Sequence, residues 1–443
     1  MKEDLASRLA RLRRETGDAP ARDAGSERVA PPPARELPAH LVSNLARRAR
    51  PDAFAALRTR GVPARLVELG GAWLREERFE RAHRHGEVRL ASALGADPAS
   101  LAFVASDPRL AALDPARALF LDIEATGLSG GSGTYPFLVA LGSFEDGAFV
   151  VRQHFMASPD EERALLESVA ASIREAGAMV TFFGKSYDRH RLEDKMRHHR
   201  VAPPFDDVLH LDLFHPLKRL YGGSRPDDRL ATNESELVGV ARENDLPGAF
   251  APAAWFDFVA GRAHLLEEVF RHNLEDVLSL ATLLAHLSCA AAESELDGAE
   301  LRGSARHRAA ALARLHERAR DHAQAAHWYD AAAERSTACG DVGADEFARL
   351  RLARARAHER CGRPAWARAE YEALARHASD PEVAVRAADR ATLLATRGGS
   401  TKADASDYEP LLGRVAERAL GAEARAALRR LRARLGDEGP AEA

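Results

Sequence analysis

Apolar positions between residues 117 and 290 fall into short runs bounded by turns. Ala118-Leu119-Phe120-Leu121 leads into Asp122-Ile123-Glu124, and a glycine-rich turn follows from Gly127 to Gly133. This pattern predicts a buried strand over 118–124. Two further runs, 136–142 and 148–155, are split by Glu145-Asp146-Gly147 and predict a hairpin. Ser158-Pro159-Asp160-Glu161 sets acids at the start of a helix. Met179-Val180-Thr181-Phe182-Phe183-Gly184 predicts a fourth strand, 188–199 a helix, and His210-Leu211-Asp212-Leu213-Phe214 a short strand. A long helix is predicted over 264–288, with Leu265, Leu266, Val269, Leu278 and Leu283 among its apolar positions. Three meandering strands followed by alternating helix and strand predict a mixed α/β sheet.

The flanks read differently. Leu5, Leu9 and Leu12 give residues 3–15 a helical spacing, and 17–38, with Pro31-Pro32-Pro33, read as a disordered linker. The pattern over 40–116 assigns no fold, although it holds Trp73, Phe79 and His83-Arg84-His85-Gly86. From residue 300 the chain becomes helical and alanine-rich. There His316-Glu317-Arg318 recurs as His358-Glu359-Arg360, 42 residues on, and Trp328-Tyr329-Asp330-Ala331 is matched by Glu370-Tyr371-Glu372-Ala373 at the same offset. These echoes resemble tetratricopeptide helix hairpins, at a longer spacing than usual. Two ordinary helix pairs, alike because both are rich in alanine, remain the alternative. The expected domains are therefore 1–39 (short helix and linker), 40–116, 117–290 (mixed sheet) and 300–438 (helical repeats).

At 443 residues, 46% hydrophobic and 29% charged, the composition is that of a globular protein of two or three domains. A net charge of −4 argues against wholesale coating of nucleic acid but leaves room for a local basic patch. Cys289, Cys339 and Cys361 form no C-x-x-C pair, which disfavours zinc ribbons and a disulfide framework and fits a reducing cytosol. No apolar run reaches membrane-spanning length, and the start lacks a signal-peptide core, so a cytoplasmic protein away from membranes is expected.

Chemistry concentrates in four acids. Asp122 and Glu124, two apart on a strand, point the same way. Close carboxylates repel unless a cation lies between them, and oxygen donors suit magnesium or manganese. A lone D-x-E is also what a strand end dissolving into a polar turn looks like. Asp188 follows a buried strand and opens a helix, where an acid alone would read as a cap. Asp276 lies mid-helix, sharing roughly one face with Leu265 and Val269, where an acid is costly unless paired or metal-bound. A salt bridge to an arginine is its alternative.

Taken in order, Asp122-Ile123-Glu124-Ala125-Thr126-Gly127, Gly184-Lys185-Ser186-Tyr187-Asp188 and His272-Asn273-Leu274-Glu275-Asp276 resemble the DEDD exonuclease superfamily, with a ribonuclease H-like fold. Thr126 to Val139, Leu211-Asp212-Leu213-Phe214-His215-Pro216 and Asp276-Val277-Leu278-Ser279-Leu280 resemble more closely the bacterial YprB-like group of predicted exonucleases, which often carry a helical tail. The resemblance implies that Asp122, Glu124, Asp188 and Asp276 hold two Mg²⁺ or Mn²⁺ ions for 3′–5′ phosphodiester hydrolysis. It also implies a nucleic-acid partner, DNA or RNA, met at a single-stranded end, and a protein partner for the tail. His272 stands four before Asp276, in the place of the superfamily's tyrosine, and is a candidate general base or water orienter. Ala125 replaces the common threonine. Thr126, Gly127, Lys185, Tyr187 and Asn273 are candidate substrate contacts. The basic segment Lys185–Arg200, and Lys218, Arg219, Arg225 and Arg229, could track phosphates, with a solvated mixed-charge face as the alternative. The other class of function is a catalytically weak or inactive nuclease-like scaffold acting through its tail.

Overall fold

The structure, a computed structural model, describes residues 66–69, 71–127, 133–242, 246–260, 265–339, 342–397, 407–416 and 419–436. The helix expected over 3–15 and the linker over 17–38 lie outside them, as do residues 128–132 of the glycine loop. The strands are β1 (Val67–Leu69), β2 (Ala72–Glu80), β3 (Arg84–His85), β4 (Val88–Arg89), β5 (Ala118–Ala125), β6 (Pro136–Glu145), β7 (Ala148–Phe155), β8 (Ala178–Thr181) and β9 (Leu209–Asp212). Seven of them form one sheet in the order β1-β2-β7-β6-β5-β8-β9. Pairing is antiparallel from β1 through β5 and parallel from β5 through β9. This is the mixed sheet the apolar pattern implies, widened by two strands.

The widening comes from the stretch that sequence left unassigned. In β2, Trp73 to Glu80 pair with Phe155 to Ala148. Its run Arg75-Glu76-Glu77-Arg78 is polar because it lies toward the sheet margin and pairs its charges locally. Arg75 meets Glu267 at 2.9 Å, and Arg152 meets Glu76 at 2.9 Å.

Helices cover both faces. They are α1 (Pro98–Ala105), α2 (Glu162–Glu175), α3 (Asp188–His198), α4 (Phe214–Tyr221), α5 (Leu230–Val238), α6 (Ala251–Val259) and α7 (Leu266–Ala292). On β7 the alternation is explicit. Gln153 and Phe155 face α7, where Phe155 and Phe270 have ring centroids 5.2 Å apart, whereas His154 faces α2 and lies 3.2 Å from Ser168 Oγ. Gly142 of β6 lies under the same helix; a Cβ there would stand 2.5 Å from Val277 Cγ1 and 2.6 Å from Phe149 Cζ. Glycine thus lets α7 settle onto the sheet.

α7 is longer than the 264–288 pattern, and it corrects one expectation. By length and composition it could cross a membrane, yet 78% of its apolar window is buried inside the protein. Its C-terminal half, from Val277 on, is apolar nearly all round because it packs on several sides, as a core helix does.

The remaining helices are α8 (Ala305–Arg318), α9 (His322–Cys339), α10 (Ala344–Arg360), α11 (Pro364–His377), α12 (Pro381–Arg397), α13 (Glu409–Arg414) and α14 (Ala422–Leu435). Ala311, Leu312 and Leu315 of α8 share one core with α7 and α4, so the helical region continues the hydrophobic interior of the sheet layer. The 42-residue echo has a structural counterpart. The Tyr329 hydroxyl donates to Glu317 at 3.2 Å and the Tyr371 hydroxyl to Glu359 at 3.0 Å. Each glutamate also takes an arginine from farther along the chain, Arg360 and Arg390 respectively.

Candidate active site

β5 carries Asp122 and Glu124 toward α7, and α7 answers with His272, Asn273 and Asp276. The Asn273 Nδ2 donates to Asp122 Oδ2 at 2.7 Å, while its Oδ1 accepts from Gln153 Nε2 at 3.1 Å. Gln153 also donates to the Phe270 carbonyl at 2.7 Å, so β7, α7 and β5 are stitched together directly behind the first acid. Asn273 is fully buried. This corrects its assignment as a substrate contact: it fixes a carboxylate and lies out of reach of substrate.

Asp188 arrives from the other side of β5. Strand β8 stops at Thr181, short of the predicted 184, because the next residues turn sharply. Phe183 has φ +62°, a left-handed conformation rare for a bulky side chain. The buried Asp212 at the end of β9 holds this turn, accepting the Phe183 N–H at 2.8 Å and the Lys185 N–H at 3.0 Å. It also accepts the Phe214 N–H at 3.1 Å, which is why β9 ends there and α4 begins. The turn delivers Asp188 to the first position of α3, buried.

The acids feel one another. Burial, then the charges of Asp276 and Asp188, push the Asp122 carboxyl well above the ordinary range, with Asn273 opposing. For Asp188 the causes are burial, then Asp212, Glu124 and Asp276. Acids from four separate segments, β5, α3, β9 and α7, therefore share one field.

The field already contains a cation. Arg242, between α5 and α6, places Nη2 2.5 Å from Asp276 Oδ1 and 2.6 Å from Glu234 Oε2. The salt bridge envisaged for Asp276 is thus present, alongside its place among the acids. Burial alone would lower the Arg242 pKa, but Asp276 and Glu234 outweigh it and hold the guanidinium firmly charged. Arg242 Nη1 also donates to His272 Nδ1 at 3.2 Å. A guanidinium only donates, so that His272 nitrogen accepts and the neutral ring carries its proton on Nε2. Nε2 lies 3.6 Å from Asp276 Oδ2 and 3.9 Å from Glu124 Oε1. As arranged, His272 offers the acid cluster a donor.

Residues 119–288 match the model of a family described as the RNase_H superfamily. The fold of this region is ribonuclease H-like. The uncharacterized protein YprB of Bacillus subtilis (strain 168) is 35% identical over 173 residues, which cover 38% of this chain and 41% of that relative. The aligned region thus spans less than half the length of either protein. The superfamily match suggests a nuclease-type hydrolase that binds nucleic acid, and ribonuclease H-like nucleases usually use divalent metal ions.

Hard oxygen donors and mutual repulsion fit such an ion in chemistry. Among the described residues, however, no three His, Cys, Asp or Glu side chains already form a metal cage. Asp276 faces Arg242, so closing an ion between it and the other acids calls for side-chain adjustment.

Around the acids, Thr126 Oγ1 accepts the Tyr135 N–H at 2.9 Å and pins the base of the glycine loop. The Tyr187 hydroxyl donates to the Gly127 carbonyl at 3.1 Å, and Arg191 lies 4.6 Å from its ring centroid. Thr126, Gly127, Lys185 and Tyr187 keep partial exposure. The basic helix α3 is a paired face. Arg189 meets Glu193 at 2.6 Å and Asp206 at 2.7 Å, and Lys195 is buried against Glu162 at 2.9 Å. Lys218 of α4 meets Asp228 at 3.0 Å, and Arg225 in the loop that follows donates to Asn233 at 2.6 Å. These ion pairs favour the mixed-charge alternative over phosphate tracking.

Sequence reasoning missed Arg242, Glu234 and Gln153, and noted Asp212 only as part of a motif. Asp212 ends a strand as Asp122 nearly does, so the same signal was available for it. Arg242 has no such signal.

Proposed function

We propose that the ribonuclease H-like region is a divalent-metal-dependent exonuclease that hydrolyses phosphodiester bonds of nucleic acid from a 3′ end, releasing nucleoside monophosphates. The observation that carries this is the meeting of Asp122, Glu124, Asp188 and Asp276 in one repulsive field. These four would hold Mg²⁺ or Mn²⁺, which when bound activates water and steadies the charge of the scissile phosphate. The family resemblance implies two ions. Asn273 fixes Asp122, and Arg242 fixes both Asp276 and the His272 ring. His272, with its proton on Nε2, orients the attacking water as a donor; this favours the orienting role over that of general base. Thr126, Gly127, Lys185 and Tyr187 border the site and are the proposed contacts to the strand end. The helical region beyond residue 300 is the proposed docking region for a protein partner.

The experiment is digestion of matched DNA and RNA oligonucleotides, labelled at either end, with Mg²⁺ or Mn²⁺. A 5′ label is expected to appear on a descending ladder, and a 3′ label on mononucleotide from the first time points. The hold of Arg242 on Asp276 favours a second reading, a nuclease-like binding module without turnover. Tight oligonucleotide binding with no cleavage under either metal would establish that instead.

A further inference from the structure

Arg242 is anchored from behind by a buried polar chain. His85 Nε2 lies 2.7 Å from Ser279 Oγ, Ser279 donates to Glu234, and Glu234 Oε1 stands 2.6 Å from Arg242 Nε. The Arg242 and Glu234 side chains are 6% and 2% exposed. Swinging the guanidinium away would strand a buried carboxylate, which is strongly unfavourable. Arg242 is therefore a fixed part of the site. Its outer face is turned to Asp276, to His272 and, at 3.7 Å from Nε, to Glu275.

Resting on the nuclease function proposed above, we propose that the Arg242 guanidinium stands in for a second metal ion, so that the carboxylate cluster takes one divalent cation rather than two. Asp276 already gives Oδ1 to Arg242, and its Oδ2 lies toward His272. A second dication drawing on Asp276 would meet a like charge that cannot be discharged, because arginine keeps its proton at any working pH. Asp122, Glu124 and Asp188 supply hard oxygen donors for one ion, and magnesium is commonly held by one or two carboxylates with water and phosphate completing its shell. The guanidinium does what a second ion would do electrostatically. It offsets carboxylate repulsion and presents N–H donors beside the place where phosphate charge develops.

The test counts ions and needs no turnover. Mn²⁺ bound to the purified full chain is measured by isothermal titration calorimetry and, independently, by the electron paramagnetic resonance signal of free Mn²⁺. One ion per chain is expected. The double variant Arg242→Met/Glu234→Gln, which removes the cation without stranding its buried partner, is expected to bind a second Mn²⁺, and Arg242→Lys to stay at one. Two ions on the native chain overturn the proposal and leave the nuclease function standing. One ion on both the native chain and a folded double variant also overturns it, since Arg242 would then not set the count. No bound Mn²⁺ at all defeats the metal-dependent function and this proposal together. If the double variant does not fold, the native count and Arg242→Lys decide.

Discussion

Replacing Asn273 with leucine isolates the support of one carboxylate from the carboxylate itself. Leucine is close in volume and apolar, so the buried space stays filled, while the 2.7 Å bond to Asp122 and the 3.1 Å bond from Gln153 are lost. Gln153 keeps its 2.7 Å bond to the Phe270 carbonyl, so most of the loss falls on Asp122. Asn273 favours the charged form of Asp122, the form that binds a cation. A hydrogen bond to a charged group contributes about 1.5–3 kcal/mol, which converts to roughly a 10- to 150-fold loss of metal affinity. Residues supporting metal ligands commonly show ~10- to 100-fold effects, in the same range. The assay is Mn²⁺ affinity by calorimetry, beside mononucleotide release across a Mn²⁺ series. Affinity is expected to fall by that factor, and excess Mn²⁺ is expected to restore part of the rate. A folded variant that binds Mn²⁺ as tightly as the native chain would refute this role for Asn273.

Three further outcomes follow from packing and charge. Gly142→Ala forces a Cβ to 2.5 Å from Val277 Cγ1 and 2.6 Å from Phe149 Cζ, and is expected to cost about 1–3 kcal/mol in urea unfolding, with Val277→Ala recovering part; an unchanged midpoint would contradict the seating of α7 on β6. Burial lowers the pKa of His85 and His154 to about 4 and of His210 and His286 to about 3, while the unfolded chain binds those protons from about pH 6.5 downward. Stability from these histidines is therefore complete above pH 6.5 and lost as pH falls from there toward 3, and the urea midpoint is expected to drop steeply over that range, with His286→Gln reducing the slope by up to one proton; a flat profile would contradict it. Tyr329→Phe and Tyr371→Phe are each expected to cost about 0.5–1.5 kcal/mol in thermal melts, and equal costs would support the two hairpins as repeats of one design, whereas an effect at only one would not.

What sequence reveals here depends on how local the cause is. Asp122 and Glu124 were legible because strand alternation places residues two apart on one face. Asp188 was legible because it follows a buried strand and opens a helix, and Asp276 because an acid beside an apolar stripe needs an explanation. The 42-residue echo was legible because Glu317 with Tyr329, and Glu359 with Tyr371, recur at one spacing. By contrast, β2 hides as a strand because its charges satisfy one another across the sheet margin, so no alternation of apolar and polar survives. Phe182 to Gly184 looked like strand because nothing local shows that Asp212, on another strand, takes the N–H groups of Phe183 and Lys185. Asn273 looked like a surface contact because its partners lie on β5 and β7. Arg242 has no periodic setting, and Glu234, Asp276 and His272 reach it from two different helices; only the folded chain brings them together. The basic segment Lys185–Arg200 carries the same lesson in reverse, since a count of cations along the chain does not show which are already paired.

The shared carboxylate field is the centre of the proposed site, and Asp188→Asn tests it with least disturbance. The measurement is release of mononucleotide from a 3′-labelled oligonucleotide in Mn²⁺, for the native chain and for the variant, with folding checked by circular dichroism. The native chain is expected to release label, and the variant to lose more than the ~10- to 100-fold typical of residues behind the ligands. Equal rates from the two proteins, or no release from the native chain on DNA or RNA with either metal, would contradict it.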